Sequence, residues 1–329
     1  MSINNNDELK IGKLIDGRHP IYGSKKIDEI TKNNDTLQIY DYPSNIKYSS
    51  DEESISILFV GQSGTGKSTF INAYVNHLLG ITINHNIRYK LIKGEKREDD
   101  QTQSQTDFIT IYNVRSPKYG NKLFKLIDTP GAGDTRNDNE GVISETEKDI
   151  KEKEFLSMYN DLFSKKIGQL NSITFVIKAS ENRENEFQKK IIKNITNLFA
   201  GDIVKNCLAV LTHTDNPDEI QDAVQLLKKM DIFDKKKDDW YFPVSSKSYL
   251  TPIQKGKITV TLAQFSSTEE SFEKYTKKLL SLKLYYTKNT QKNLELKNDQ
   301  EEIIKKLKDD IINNVFSNIT ELNYNKKKL

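Results

Sequence analysis

Gly61-Gln62-Ser63-Gly64-Thr65-Gly66-Lys67-Ser68 follows directly on the apolar run Ile55-Ser56-Ile57-Leu58-Phe59-Val60 and leads into a helical stretch, Ser68 to Leu79. It is a complete G-x-x-x-x-G-K-[ST] match, set between a strand and a helix as its mechanism requires. Glycines free the backbone to curl until several N–H groups point inward at the α- and β-phosphates of a nucleotide. The helix beginning near Lys67 adds its positive end. Lys67 supplies a mobile charge for the β- and γ-phosphates, and Ser68 a hydroxyl for Mg²⁺. The phosphate-binding set read from this stretch is Gly61, Ser63, Gly64, Thr65, Gly66, Lys67, Ser68 and Thr69.

The surrounding pattern repeats that alternation. Strands are predicted at Phe108 to Val114, Lys122 to Ile127, Ser172 to Lys178, Asn206 to Leu211 and Tyr241 to Val244. Helices are predicted at Glu145 to Gly168, Glu184 to Phe199 and Pro217 to Met230. Alternating elements of this kind imply an α/β fold with a doubly wound, mostly parallel sheet. Residues 1–53 read as an N-terminal arm with brief strands at Ile11 to Ile15 and Leu37 to Tyr42. Residues 54–250 read as the nucleotide-binding domain and 251–329 as a helical C-terminal extension. In that extension apolar residues recur three or four apart from Leu296 to Leu322. This suits a helix packed back on the domain, a coiled-coil partner surface, or a helix lying on a membrane surface.

Three further segments give the site its chemistry. Asp128-Thr129-Pro130-Gly131 closes a strand with D-x-x-G, so that Asp128 can hold the magnesium shell and the Gly131 N–H can sense a γ-phosphate. The loop Gln101 to Thr106 precedes a strand, and its hydroxyls suit a switch that reaches Mg²⁺ only beside a γ-phosphate. Thr106 is the first choice there and Thr102 the second. At another strand's C-terminal edge, where such sheets bind ligands, stands Thr212-His213-Thr214-Asp215. A carboxylate at Asp215 accepts two hydrogen bonds from guanine, whereas adenine would leave it unpaired at a cost of roughly 1–3 kcal/mol. His213 stands where a lysine stem usually covers the base, and an imidazole can stack there instead. Val244-Ser245-Ser246-Lys247 completes the set, with the Ser246 N–H directed at guanine O6.

Composition narrows the classes. Fifty basic residues against 47 acidic ones leave a net charge of +3, without the clustered excess that nucleic-acid binding needs. Apolar residues make up 35% of the chain, which fits one compact core with polar extensions. The single cysteine, Cys207, excludes an internal disulfide and suits a reducing cytoplasm. The opening MSINNNDELK lacks the apolar stretch of a signal peptide, and no run is long enough to span a bilayer. The four histidines show no metal spacing with each other or with Cys207.

Taken together, Gly66 to Ala73, Ser104-Gln105-Thr106, Asp128 to Arg136 and Thr212 to Asp215 resemble the septin-like branch of P-loop GTPases. The likeness is greatest to the avirulence-induced, immunity-associated type, with septins and chloroplast import-receptor GTPases as cousins. It implies GTP or GDP with Mg²⁺ as ligands, nucleotide-dependent dimers and slow turnover. Metal contacts would fall to Ser68, Thr106 and Asp128, and catalytic roles to Lys67 and Thr106. The position after Gly131 is Ala132, which cannot orient water as a glutamine can. A group from elsewhere, with Arg136 as one candidate, would have to assist. The expectation is a slow, dimer-dependent GTP switch in the cytoplasm, with a protein effector at the C-terminal helices and at most peripheral membrane contact. Its alternative is a non-hydrolysing GTP-bound scaffold that assembles through the same domain and helices.

Overall fold

The computed structural model describes residues 21, 23–32, 35–43, 49, 52–92, 109–130, 157–159, 161–163, 167–180, 199, 201–214, 217–230, 232–233, 237–252, 258–287, 292, 296, 299–300 and 302–315. Strand β3 (Ser54–Val60) is buried along nearly its whole length, because it pairs in parallel on both sides. Its neighbours are β6 (Lys122–Asp128) and β8 (Ser172–Lys178). Beyond β8 lie β9 (Cys207–Thr212) and β10 (Tyr241–Val244), both parallel; beyond β6 lies β5 (Thr110–Ser116), antiparallel. The sheet order is β10-β9-β8-β3-β6-β5. Continuous apolar runs such as CLAVLT and SITFVI are what strands covered on both faces require. The fold is therefore the expected mostly parallel α/β sheet with a helical C-terminal region.

Helix α1 (Lys67–Leu78) starts from Gly66, whose φ of 83° lies in the left-handed region. Gly61 needs its missing side chain for a different reason: a Cβ there would lie 2.7 Å from the Val176 carbonyl oxygen and 2.8 Å from Thr65 Oγ1. Helix α2 (Pro217–Lys228) has proline at its first position, where the lost N–H costs nothing. After the short α3 (Lys247–Leu250) comes α4 (Ile258–Ser281), the first long helix of the C-terminal extension. Its buried residues Phe265, Thr268, Phe272, Tyr275, Thr276 and Leu279 recur every three or four positions. That stripe packs into an aromatic cluster. Phe70 and Tyr74 of α1 each sit within 6 Å of the Phe272 and Tyr275 rings, and Tyr249 of α3 stacks on Phe265. Two hydroxyl pairs, Tyr74 with Thr276 at 2.9 Å and Tyr275 with Thr174 at 2.8 Å, satisfy the polar ends. So α4 belongs to the core that carries α1.

Residues 26–41 fold into a hairpin, β1 (Lys26–Lys32) and β2 (Asp35–Asp41). Strand β2 pairs in parallel with β4 (Ile87–Lys90), making a separate three-stranded sheet. The strand predicted at Leu37 to Tyr42 is thus real, but its second partner, β4, lies about 50 residues downstream with no turn signal that links the two. The other edge of β4 is finished by side chains: Asn76 accepts from Tyr89 N–H and donates to its carbonyl, at 2.8 Å each. Asn72 accepts from the N–H groups of Leu91 and Ile92. At the sheet end opposite Gly61, β7 (Gln169–Leu170) pairs with β11 (Tyr285–Tyr286), and Asn206 ties Asn171 to Lys283. The predicted strand at Ile11 to Ile15, the helix at Glu184 to Phe199 apart from its last residue, and most of the helix at Glu145 to Gly168 lie outside the described residues.

One buried polar group gives this core a pH signature. His77 closes α1 with Nδ1 3.1 Å from Glu269 and Nε2 2.8 Å from the Tyr119 hydroxyl; Lys118, Glu273 and Tyr74 also face it. Burial pushes its pKa below the usual histidine value, against the opposing pull of Glu269. As pH falls through about 6.5, the unfolded chain takes up a proton that the folded imidazole resists, so stability drops. Urea midpoints measured between neutral pH and pH 5.5 should fall for the wild type and fall less for His77→Gln. Phe272→Ala should cost roughly 3–5 kcal/mol in the same assay.

Candidate functional site

Three strands of the central sheet, β3, β6 and β9, end at one edge, and the loops that follow them meet there. The loop from Gly61 to Gly66 turns through two left-handed glycines, Gly64 at φ 80° and Gly66 at φ 83°, so its amides line a concave surface. Thr65 pins that turn, donating from Oγ1 to the Gln62 carbonyl at 2.8 Å. Ser68 and Thr69 occupy the first turn of α1, half-buried, and no acidic residue stands in that turn to neutralise the helix's positive end.

Lys67 is buried, and its ammonium donates to the carboxylate of Asp128 and, at 2.5 Å, to the Thr129 carbonyl. Two side chains that sequence reading assigned to phosphate and metal, 61 residues apart, are therefore in direct contact. Thr129 fixes the end of β6 to the end of β3 by donating to the Phe59 carbonyl at 2.7 Å. Behind this pair stand two tyrosines that no motif predicts. Burial raises the Tyr159 phenol far above its ordinary value beside Thr129 and Asp128, and pushes Tyr112 up to about 12, with the Asp128 charge adding to the shift. Both lie near enough to Asp128 for its charge to act on the phenol. Only an aromatic residue at these positions signals them in the sequence, and aromatic residues are common in cores.

The base-side segment closes onto the phosphate loop. Thr212 Oγ1 donates to the Thr65 carbonyl at 2.5 Å and lies 3.1 Å from His213 Nδ1. His213 is exposed and has a φ of 55°, a left-handed conformation uncommon outside glycine that histidine tolerates better than most residues. A Cβ added to Gly66 would meet His213 Cε1 and Thr212 Oγ1, each at 3.5 Å, so the two loops touch. Strand pairing sets Val244 beside Thr212, which brings Ser246 to the same edge. Ser246 is buried, and its Oγ has no hydrogen-bond partner among the described residues. The structure thus brings together Gly61, Ser63, Gly64, Thr65, Gly66, Lys67, Ser68, Thr69, Asp128, Thr212, His213 and Ser246. Thr102, Thr106, Gly131, Ala132, Arg136 and Asp215 lie outside the described residues. Among the described residues no cluster of three or more His, Cys, Asp or Glu could hold a metal by itself, and no helix is long and apolar enough to cross a membrane. A divalent ion here would rest on Asp128 and Ser68 with phosphate oxygens and waters, which is how Mg²⁺ is ordinarily held.

Residues 51–166, about a third of the chain, match the septin family model. Solved structures similar in fold include Toc33 from Arabidopsis thaliana in complex with Mg²⁺ and GMPPNP. It shares 16% identity over 69% of this chain and 68% of that one, with a TM-score of 0.31. A dimerization-deficient mutant of the same protein gives 14% identity over 70% and 67%, with a TM-score of 0.32. Bacterial selenocysteine-specific elongation factor EF-Sec gives 15% identity over 66% of this chain and 29% of that one, at 0.35. No curated protein matches. The chain is thus a mostly parallel α/β sheet with helices, similar in its matched segment to the septin GTPase model.

Two glycine substitutions separate steric from conformational constraint. Gly61→Ala must displace the Val176 carbonyl, whereas Gly66→Ala finds room but pays left-handed strain of roughly 1–2 kcal/mol. Thermal melts should therefore rank wild type above Gly66→Ala, and Gly66→Ala above Gly61→Ala.

Proposed function

We propose that this chain binds GTP and GDP with Mg²⁺ and works as a slow guanine-nucleotide switch. One observation carries the reading: a left-handed glycine loop at a helix N-terminus has Lys67 on the Asp128 carboxylate and Thr212 bonded to its backbone. Phosphate, metal and base segments are thereby in mutual contact. In the bound state Lys67 would leave Asp128 for the β- and γ-phosphates, releasing the carboxylate to the Mg²⁺ shell together with Ser68 and Thr106. His213, exposed and projected by its left-handed backbone, would cover one face of the base, with Asp215 and the Ser246 N–H reading its edge.

Chemistry at the γ-phosphate would rest on positioning and charge neutralisation by Lys67, the loop amides and Mg²⁺. Because Ala132 cannot orient a water, hydrolysis would be slow and would rise on dimerisation through a group from the partner; the Arabidopsis relative whose mutant is dimerization-deficient motivates that step. The Thr212-His213-Thr214-Asp215 and Asp128 to Arg136 segments support kinship with the immunity-associated type. A single buried cysteine fits the reducing cytoplasm as its location.

Calorimetric titration should show micromolar or tighter binding of GDP and GTP in Mg²⁺, with ATP at least tenfold weaker. Asp215→Asn should shift preference toward xanthine nucleotides. Equal affinity for ATP and GTP would refute the base assignment, and no guanine-nucleotide binding at all would refute the function. Hydrolysis per molecule that rises with protein concentration supports a dimer-activated enzyme. A rate that stays at zero at every concentration would assign the chain to the non-hydrolysing scaffold.

A further inference from the structure

The helical run 302–315 buries none of its side chains. Ile303, Ile304, Leu307, Ile311, Ile312 and Val315 are each about half exposed, from 49% to 62%, on a helix that faces solvent all round. With positions advancing 100° per residue, Ile304, Leu307, Ile311 and Val315 form one stripe, flanked by Ile303 and Ile312. Together they expose on the order of 600 Å² of apolar surface, at the upper end of what a monomer leaves in one patch and approaching one partner's share of a standard interface. The domain core does not take this face: α4 already fills the groove beside α1, and the chain leaves it through β11 at the sheet end opposite Gly61.

Charge order along the same segment selects the partner. Residues 303–312 read Ile-Ile-Lys-Lys-Leu-Lys-Asp-Asp-Ile-Ile, apolar pairs at both ends around a basic block and an acidic block. Two copies aligned in parallel would lay the Lys305, Lys306 and Lys308 block on itself and Asp309 with Asp310 on itself. Aligned antiparallel about a dyad between Leu307 and Lys308, each block falls level with its opposite. Ile304 then meets the partner's Ile311, Ile303 lies level with the partner's Ile312, and Lys306 shares a flank with the partner's Asp310. Lys306 keeps Glu302 of its own helix at 2.8 Å throughout. Lys308 faces its own copy near the dyad, the one like-charge contact of this register, which limits affinity. We infer that the helix around 303–315 is a self-association surface that pairs two copies of this chain antiparallel, independently of bound nucleotide.

The full-length chain, freed of nucleotide and studied by sedimentation velocity at tens of micromolar, should be in monomer–dimer equilibrium. The double substitution Ile304→Asp with Ile311→Asp should weaken dimerisation at least about tenfold, since it removes two central apolar contacts per helix. Both positions are exposed, so the melting temperature should stay unchanged, and a guanine-nucleotide titration of the same variant should match wild type. Orientation is read from a spin label on Gln300→Cys, with Cys207 buried and shielded from the reagent. Antiparallel pairing sets the two labels 15 residues apart along the axis, at least about 22 Å. Parallel pairing sets them about 10 Å apart. A monomer at every concentration, a dimer indifferent to the double substitution, or labels at the short distance overturns the inference. So does a monomer that sediments with anionic phospholipid vesicles, which would give the face to a lipid surface. Loss of nucleotide binding alone would leave it standing.

Discussion

A lysine side chain that is 6% exposed is costly to bury unless oxygen surrounds its amine, and Asp128 with the Thr129 carbonyl provides that oxygen. This contact fixes much else. It requires the strand leading to Lys67 and the strand leading to Asp128 to end side by side, which the parallel β3–β6 register accomplishes by pairing Phe59 with Asp128. It also holds two oppositely charged side chains whose separate destinations in the proposed nucleotide complex, phosphate and metal, would make each the other's placeholder. Removing either alone would strand a buried charge, so the pair stands or falls together. The Thr212–Thr65 bond extends the same logic to β9 and draws the base-side loop onto the phosphate loop.

Much of the central architecture is legible from local patterns because fully buried strands leave an unambiguous trace. SITFVIK and YFPV are strands at the predicted bounds, since a run of apolar residues bracketed by polar turns has few other solutions in an α/β chain. The phosphate loop is legible for a sharper reason, in that its glycines answer to positive φ angles and to the Val176 carbonyl. What sequence reading misses is non-local. Strand β4 joins β2 across an interval containing β3 and α1, and the Asn72 and Asn76 side chains complete its edge. A polar residue on a helix gives no hint that it serves as a strand's hydrogen-bonding neighbour. Tyr159 and Tyr112 are invisible for the converse reason, being aromatic residues in a core that is full of them.

The helix α4 shows how a strongly charged segment can still be core. Glu269, Glu270, Glu273, Lys274, Lys277 and Lys278 give it a solvated appearance, yet its buried stripe carries Phe272, Tyr275 and Leu279. Charge on one face and aromatic bulk on the other is simply amphipathicity, and spacing decides between them. The run 302–315 repeats the composition without the burial. The difference lies in the other surface: α4 meets Phe70 and Tyr74 of α1, and 302–315 has no comparable apolar partner among the described residues.

The β5–β6 hairpin joins these parts. Its turn is pinned to α4 and α1: Lys118 pairs with Glu269 and Glu273, the Tyr119 hydroxyl shares a hydrogen bond with His77 Nε2, and Ser116 donates to the Leu78 carbonyl at 2.5 Å. Its open end carries Asp128. Sliding the hairpin along its axis would have to break all of these contacts at once, two of which involve charged groups that are only partly exposed. The turn end is therefore the fixed end. Whatever freedom the hairpin has lies at its open end, where Asp128 meets Lys67, the end farthest from the contacts with α4.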